Sequence, residues 1–155
     1  MNYALKYAKM LLIYKYRQEM GEFSMDYKQY AEEHFLNDIY AVETTGVKVE
    51  DAGVDYARCS LKIDRRHFNV DGNVMGGAIF TLADYTFGVA ANIGKAQTVS
   101  LSSTINFIRA TKGPVLYAEA RCIKSGRNIG FFEIMVTDGV GNIIAMVLSN
   151  GFRKQ

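Results

Sequence analysis

The chain has no tryptophan, one proline, two histidines and two cysteines among its 155 residues. Two cysteines are too few for a disulfide scaffold, and no Cys/His spacing marks a zinc site. An excess of one charge is lacking as well. Eighteen basic side chains against sixteen acidic ones leave a net charge of +2, which argues against an electrostatic nucleic-acid binder. No apolar run approaches the ~20 residues that span a bilayer. What is present is apolar and aromatic. Hydrophobic residues make up 49% of the chain, and ten tyrosines and nine phenylalanines can fill a sizeable core, which excludes disorder. The length suits one domain, expected to be soluble, cytoplasmic and not associated with a membrane.

Residues 1–24 read differently from the rest. Their longest apolar run, residues 10–14, is shorter than a signal-peptide core, and Lys6, Lys9 and Lys15 interrupt its flanks. One reading is a frayed amphipathic helix. A basic membrane-surface helix is a second, for which the charge density is low. The preferred reading is a translated leader, because Gly21-Glu22 can be encoded by a purine tract of the kind that pairs with bacterial ribosomal RNA. That tract would sit two codons before Met25. The expected organisation is an extension over 1–24 and a single domain over 25–155.

From Asp26 to Tyr40 the positions Tyr27, Tyr30, Ala31, Phe35 and Ile39 recur at helical spacing and predict a short amphipathic helix. The period then changes to two. Val47–Glu50 is expected to pair with Asp55–Ile63 through a turn at Asp51–Gly53, with Ala57, Cys59, Leu61 and Ile63 on one face. A polar, glycine-containing loop follows, Asp64 to Gly77. Next comes an apolar helix from Ala78 to Ile93 that Gly94 is placed to end. Four strands complete the chain: Gln97–Arg109, Val115–Lys124, Asn128–Asp138 and Asn142–Phe152. The segments Thr111–Pro114, Ser125–Arg127 and Asp138–Gly141 look like hairpin turns. In Gln97–Arg109, Val99, Leu101, Ile105 and Phe107 alternate with Ser100, Ser102, Thr104 and Asn106. The central helix is too apolar all round to lie on a surface. The pattern predicts an α+β fold in which about six antiparallel strands wrap around that helix.

One ionisable residue interrupts the helix, Asp84. Its neighbours along the axis, Gly77, Thr81, Gly88 and Ala91, are small, whereas Ile79, Phe80, Leu82, Phe87 and Val89 carry the bulk. A carboxylate in such a groove invites another chain or a ligand, although a solvated aspartate fits the pattern equally well. Gly76-Gly77 opens the helix with N–H groups that no side chain shields, a site for a carbonyl or a developing oxyanion. An ordinary loop leading into a helix is the plainer reading. Cys59 and Cys122 fall on core-facing strand positions and read as small hydrophobes. His34 reads as surface or packing. His67 could orient the loop, with no second candidate ligand for a metal.

The run His67-Phe68-Asn69-Val70-Asp71-Gly72-Asn73-Val74-Met75-Gly76-Gly77-Ala78-Ile79-Phe80-Thr81-Leu82-Ala83-Asp84 resembles the signature of hotdog-fold acyl-CoA thioesterases of the phenylacetic-acid-degradation (PaaI-like) subgroup. The likeness continues through Thr104–Arg109 and Ser125-Gly126-Arg127 and covers about residues 45–153. It implies a hotdog fold and hydrolysis of an acyl-CoA without metal or redox cofactor. It also implies that Asp84 is the carboxylate that activates water or attacks the thioester carbon. Gly76 would polarise the carbonyl through its backbone N–H, Asn69 would position the water or the carbonyl, and Ser100 would supply a helper hydroxyl. Gly77, Met75 and Phe80 would line the substrate site, and Arg109, Lys124 and Arg127 become candidates for the coenzyme A phosphates. In such proteins these groups meet across a homodimer, so a homodimer or homotetramer is expected. One position departs from the pattern: Met75 stands where the family has histidine. That departure keeps a second reading open, a non-catalytic acyl-CoA-binding hotdog protein. A hotdog dehydratase would use a catalytic histidine, and neither His34 nor His67 lies on the central helix. A ligand-free scaffold dimer leaves Asp84 unexplained.

Overall fold

The structure is a computed structural model that describes residues 25–154; the extension expected over 1–24 lies outside the described residues. The described residues open with helix α1, Tyr27–His34, whose first turn is capped by the Asp26 carboxylate accepting from the Gln29 N–H at 3.0 Å. The predicted helix to Tyr40 stops earlier, where the Phe35 N–H bonds back to the Ala31 carbonyl. The chain restarts as a π-helical turn, Tyr40–Thr45. This break shifts the helical phase, so Tyr30 and Ala31 are buried while Ile39 is left exposed.

Six strands follow: β1 (Val47–Gly53), β2 (Tyr56–Lys62), β3 (Thr98–Phe107), β4 (Val115–Ser125), β5 (Ile129–Asp138) and β6 (Ile143–Arg153). All pairings are antiparallel, in the order β1-β2-β4-β5-β6-β3. The β1–β2 turn lies at Val54-Asp55 rather than Asp51–Gly53, because β1 runs on past a bulge until Gly53 pairs with Tyr56. The segments around Ser125–Arg127 and Asp138–Gly141 do join paired strands. Thr111–Pro114 does not: β3 pairs with β6 at the sheet edge, so this connection carries the chain from the edge back to the centre.

Helix α2, Gly76–Asn92, lies in the curve of the sheet. The strand positions beneath it are small or mid-sized and almost wholly buried: Ala57, Cys59, Ala118, Ala120, Ile134 and Ala145. Small residues let the helix sit close, and bulges in β1, β3, β4 and β6 bend the sheet around it. Phe87 meets Phe132 edge-on, ring centroids 5.2 Å apart. Gly94 follows the last turn with φ at 66°, the left-handed backbone expected of the residue that ends the helix.

In β3 a bulge between Ser100 and Ser102 corrects the predicted alternation. Ser100 pairs with Gly151 and Ile105 with Val147, both on the buried face of β6, whereas Val99 pairs with the exposed Phe152. Val99 and Ile105 therefore occupy opposite faces. Gly151 is needed for contact: a Cβ there would overlap Thr98 Cγ2 and stand 2.9 Å from Phe87 Cζ. Gly151→Ala should lower unfolding stability by about 1–3 kcal/mol through overpacking. A urea melt that matches the wild type would contradict this packing.

Candidate active site

The loop before α2 is held by its own side chains. Asp64 caps the short turn Arg65–His67, accepting from the Arg66 N–H at 2.9 Å, and the Arg66 guanidinium grips the same carboxylate. These bonds hold the Asp64 carboxyl far below the usual carboxylate range. His67 is buried. Its Nδ1 accepts from the Asp64 N–H at 3.0 Å, so Nε2, 2.8 Å from the Thr45 carbonyl oxygen, is the donor to that oxygen. The histidine thus pins the loop to the π-helical turn and leaves no ring nitrogen for a metal. No cluster able to hold a metal ion occurs among the described residues.

Asn69 Oδ1 accepts from the N–H groups of Asp71 and Asn73, both at 3.0 Å. Its side-chain oxygen is spent on the loop, which leaves the amide N–H groups as its free donors. The Met75 N–H bonds to the His67 carbonyl at 2.7 Å, and the Met75 carbonyl accepts from Ala78 and Ile79. Gly76 and Gly77, at the helix start, find no acceptor for their N–H groups among the described residues. Met75 offers no side-chain cap and is itself exposed. Two unpaired donors therefore stand at the positive end of a 17-residue helix.

Eight residues further along, Asp84 lies on the side of the helix that the sheet does not cover. Gly77 and Asp84 are exposed and Thr81 and Gly88 half-buried, while the predicted fourth member of the stripe, Ala91, is buried. The Thr81 hydroxyl turns back onto the Gly77 carbonyl at 2.9 Å, and a Cβ added to Gly88 would meet nothing within 4 Å. The stripe is smooth and open. Asp84 makes no hydrogen bond or ion pair among the described residues. Desolvation by the surrounding protein, and next the negative charge of Asp38, push its carboxyl above the ordinary value. Asp38 follows α1, far away in sequence, and nothing in the pattern singled it out. A cavity of about 310 Å³ between α1 and β1 reaches Tyr85 but is lined by none of the predicted site residues.

The remaining predicted residues separate into two ends. Ser100 lies on the helix-facing side of β3, by its register with Gly151. Phe80 is half-buried in the second turn of α2. Arg109 follows β3 near the start of α2, its N–H bonded to Ile144 at 3.2 Å. Arg127 and Lys124 are exposed at the β4–β5 turn, near the other end of the helix, where the Arg153 guanidinium bonds to Gly126 and Ser125. One chain does not bring Arg109 and Arg127 together. The cysteines are as expected small core groups, and burial pushes the Cys59 thiol up to about 12.

The raised Asp84 carboxyl fixes the sign of a stability effect. Its ionised form is disfavoured in the fold, so the cost is full above the folded pKa and vanishes below the ordinary value. Asp84→Asn should melt at or slightly above the wild-type temperature at neutral pH, within about 1 kcal/mol. The gap should close as pH falls below about 4. A variant less stable than wild type at pH 7, with no convergence in acid, would contradict the uncompensated carboxylate.

Comparison with known proteins bears on this arrangement. The model of the family described as "Thioesterase superfamily" matches residues 71–145, which begin in the Asn69 loop and take in the whole of α2. A Deinococcus radiodurans protein named "Putative esterase" is 33% identical over 115 residues, 73% of this chain and 78% of its own. The acyl-coenzyme A thioesterase PaaI of Escherichia coli is 24% identical over 132 residues, 83% of this chain and 94% of its own. The solved structure of that PaaI protein matches with a TM-score of 0.77 at 21% identity, over 85% of this chain and 97% of that one. A "Hypothetical Thioesterase Protein with Coenzyme A" from Streptococcus pneumoniae gives a TM-score of 0.72 at 23% identity, over 79% and 96% of the two chains. With the helix, the wrapped sheet and the central motif all in place, the chain belongs to the thioesterase superfamily, as a PaaI-like protein with the hotdog fold.

Proposed function

We propose that this protein is an acyl-CoA thioesterase, hydrolysing an acyl-CoA to the free acid and coenzyme A at a site shared by two copies of the chain. The observation that carries the proposal is Asp84, a carboxylate without hydrogen bond or cation among the described residues, midway along a helix that is otherwise uncharged. Asp84 of one copy faces Gly76 and Asn69 of the other. Its carboxylate takes a proton from water while the water oxygen adds to the thioester carbon; in the alternative route the carboxylate itself attacks, the coenzyme A thiolate leaves, and water then hydrolyses the resulting acyl anhydride. The developing oxyanion accepts from the Gly76 N–H, reinforced by Gly77 and by the helix dipole. The C–S bond then breaks, and the coenzyme A thiolate takes up the proton. An elevated carboxyl suits a general base, whose strength grows as its pKa approaches the working pH.

The free amide of Asn69 and the hydroxyl of Ser100 support contacts to the water or the carbonyl, and Met75, Gly77 and Phe80 line the site. The edge strand supports the pairing of copies. β3 is ten residues long with one side unpaired, and Val99 and Leu101 on it are exposed. Antiparallel pairing of two β3 edges sets the helix start of one copy beside the helix end of the other. Arg109 of one copy then joins Arg127 of its partner, two guanidiniums for the phosphates of coenzyme A. Exposed Ile129, Phe131, Leu148 and Phe152 on the outer sheet face support a further pairing into tetramers.

Methionine at position 75 favours a second reading, acyl-CoA binding without turnover. Kinetics with a panel of acyl-CoAs and a thiol reagent separate the two. Asp84→Asn should lower kcat by about 10²–10⁴-fold with KM nearly unchanged. Hydrolysis at the wild-type rate would make Asp84 structural. Binding of acyl-CoA by both proteins with turnover by neither would establish the second reading. Sedimentation should find at least a dimer; a lone 17.3 kDa monomer at micromolar concentration would remove the shared site.

A further inference from the structure

We propose that Phe107 is the apolar wall of the acyl site, packing against the acyl group next to the thioester carbonyl; this rests on the reading of Asp84 and Gly76 above. The ring sits directly on Gly76. Its Cζ, Cε1 and Cε2 atoms lie 3.0, 3.2 and 3.6 Å from where a Cβ on Gly76 would stand. Glycine at this position lets the tip of an aromatic ring reach the backbone that carries the two unpaired N–H groups. The seat is fixed, because Phe107 ends β3 in register with Ala145, and beyond it Ile108 and Arg109 both donate to the Ile144 carbonyl at 2.9 and 3.2 Å. The rest of the ring is uncovered: Phe107 is 55% exposed, although it is anchored on one side.

A half-open phenylalanine beside unpaired donors has two consequences for a bound thioester. It buries the first carbons of the acyl chain, and it excludes water from one side of the N–H···O bond, which strengthens that bond. Neither consequence touches the coenzyme A portion. Phe107 is thus a specificity residue whose effect falls on acylated ligands alone.

Two measurements on the full chain test this. In steady-state kinetics, Phe107→Ala should lower kcat/KM for acyl-CoAs by roughly 10–100-fold, Phe107→Leu should recover most of it, and inhibition by free coenzyme A should not change. The second needs no turnover. Because the chain has no tryptophan, Phe107→Trp in an Asp84→Asn background is a sole reporter. Its emission should change saturably with acyl-CoA and stay constant with free coenzyme A. An active wild type with Phe107→Ala unchanged in kcat/KM overturns the wall and leaves the hydrolase intact. Equal weakening of acyl-CoA and coenzyme A, or loss of the dimer in both Ala and Leu variants, assigns the ring to structure and also overturns it. A wild type inactive on every acyl-CoA, with a tryptophan signal specific to the acylated ligand, supports the wall while overturning the hydrolase.

Discussion

The burial of α2 over most of its circumference is the constraint on which the molecule depends. Ile79, Leu82, Phe87, Val89 and Ala90 are each no more than 4% exposed, and they point in several directions from one axis. A flat sheet could not cover them. The curve that does so comes from alanines at the contact positions of β2, β4 and β6 and from bulges that add a residue to one strand of a pair. The uncovered stripe that remains is narrow, and its residues are small apart from Asp84. An ionisable group in this place is unfavourable to the fold, because desolvation by the surrounding protein and Asp38 both oppose its charge. Such a cost, set beside unpaired backbone donors on the same helix, is characteristic of a reactive site rather than of a packed core.

The loop before the helix does the complementary work. His67, Asp64 and Asn69 use their acceptors on local backbone groups, and the N–H groups of Gly76 and Gly77 at the helix start find no acceptor among the described residues. The Asp64–Arg66 pair is exposed, and its contribution is to geometry more than to stability. In the proposed reaction, rigidity in the loop keeps these donors available without reorganisation as charge develops.

Much of this was legible in the residues. Period-two runs such as Ala57-Cys59-Leu61 located the strands, and the unbroken apolar stretch from Ala78 located the helix. The order of elements with the central motif identified the fold. Four features escaped. The bulge in β3 moves Val99 to the opposite face from Ile105, and a bulge leaves no mark on alternating polarity when serines occupy both sides. The crossing of Thr111–Pro114 to the sheet centre is a pairing choice between distant strands, whereas a local turn motif reports only that the chain bends. Asp38 acts on Asp84 through its charge from 46 residues away and Phe107 packs on Gly76 from 31 residues away, and spacing along one helix contains no trace of either. The separation of Arg109 from Arg127 was hidden for the same reason.

The division of one site between two copies can be examined by mixing subunits. Asp84→Asn and Asn69→Ala proteins, each nearly inactive alone, are unfolded together and refolded. If Asp84 of one copy works with Asn69 and Gly76 of the other, each mixed dimer holds one intact site, and activity returns to about one quarter of the wild-type rate at random assortment. If each chain holds a whole site, every site in the mixture is damaged, and a mixture no more active than its components would contradict the shared arrangement.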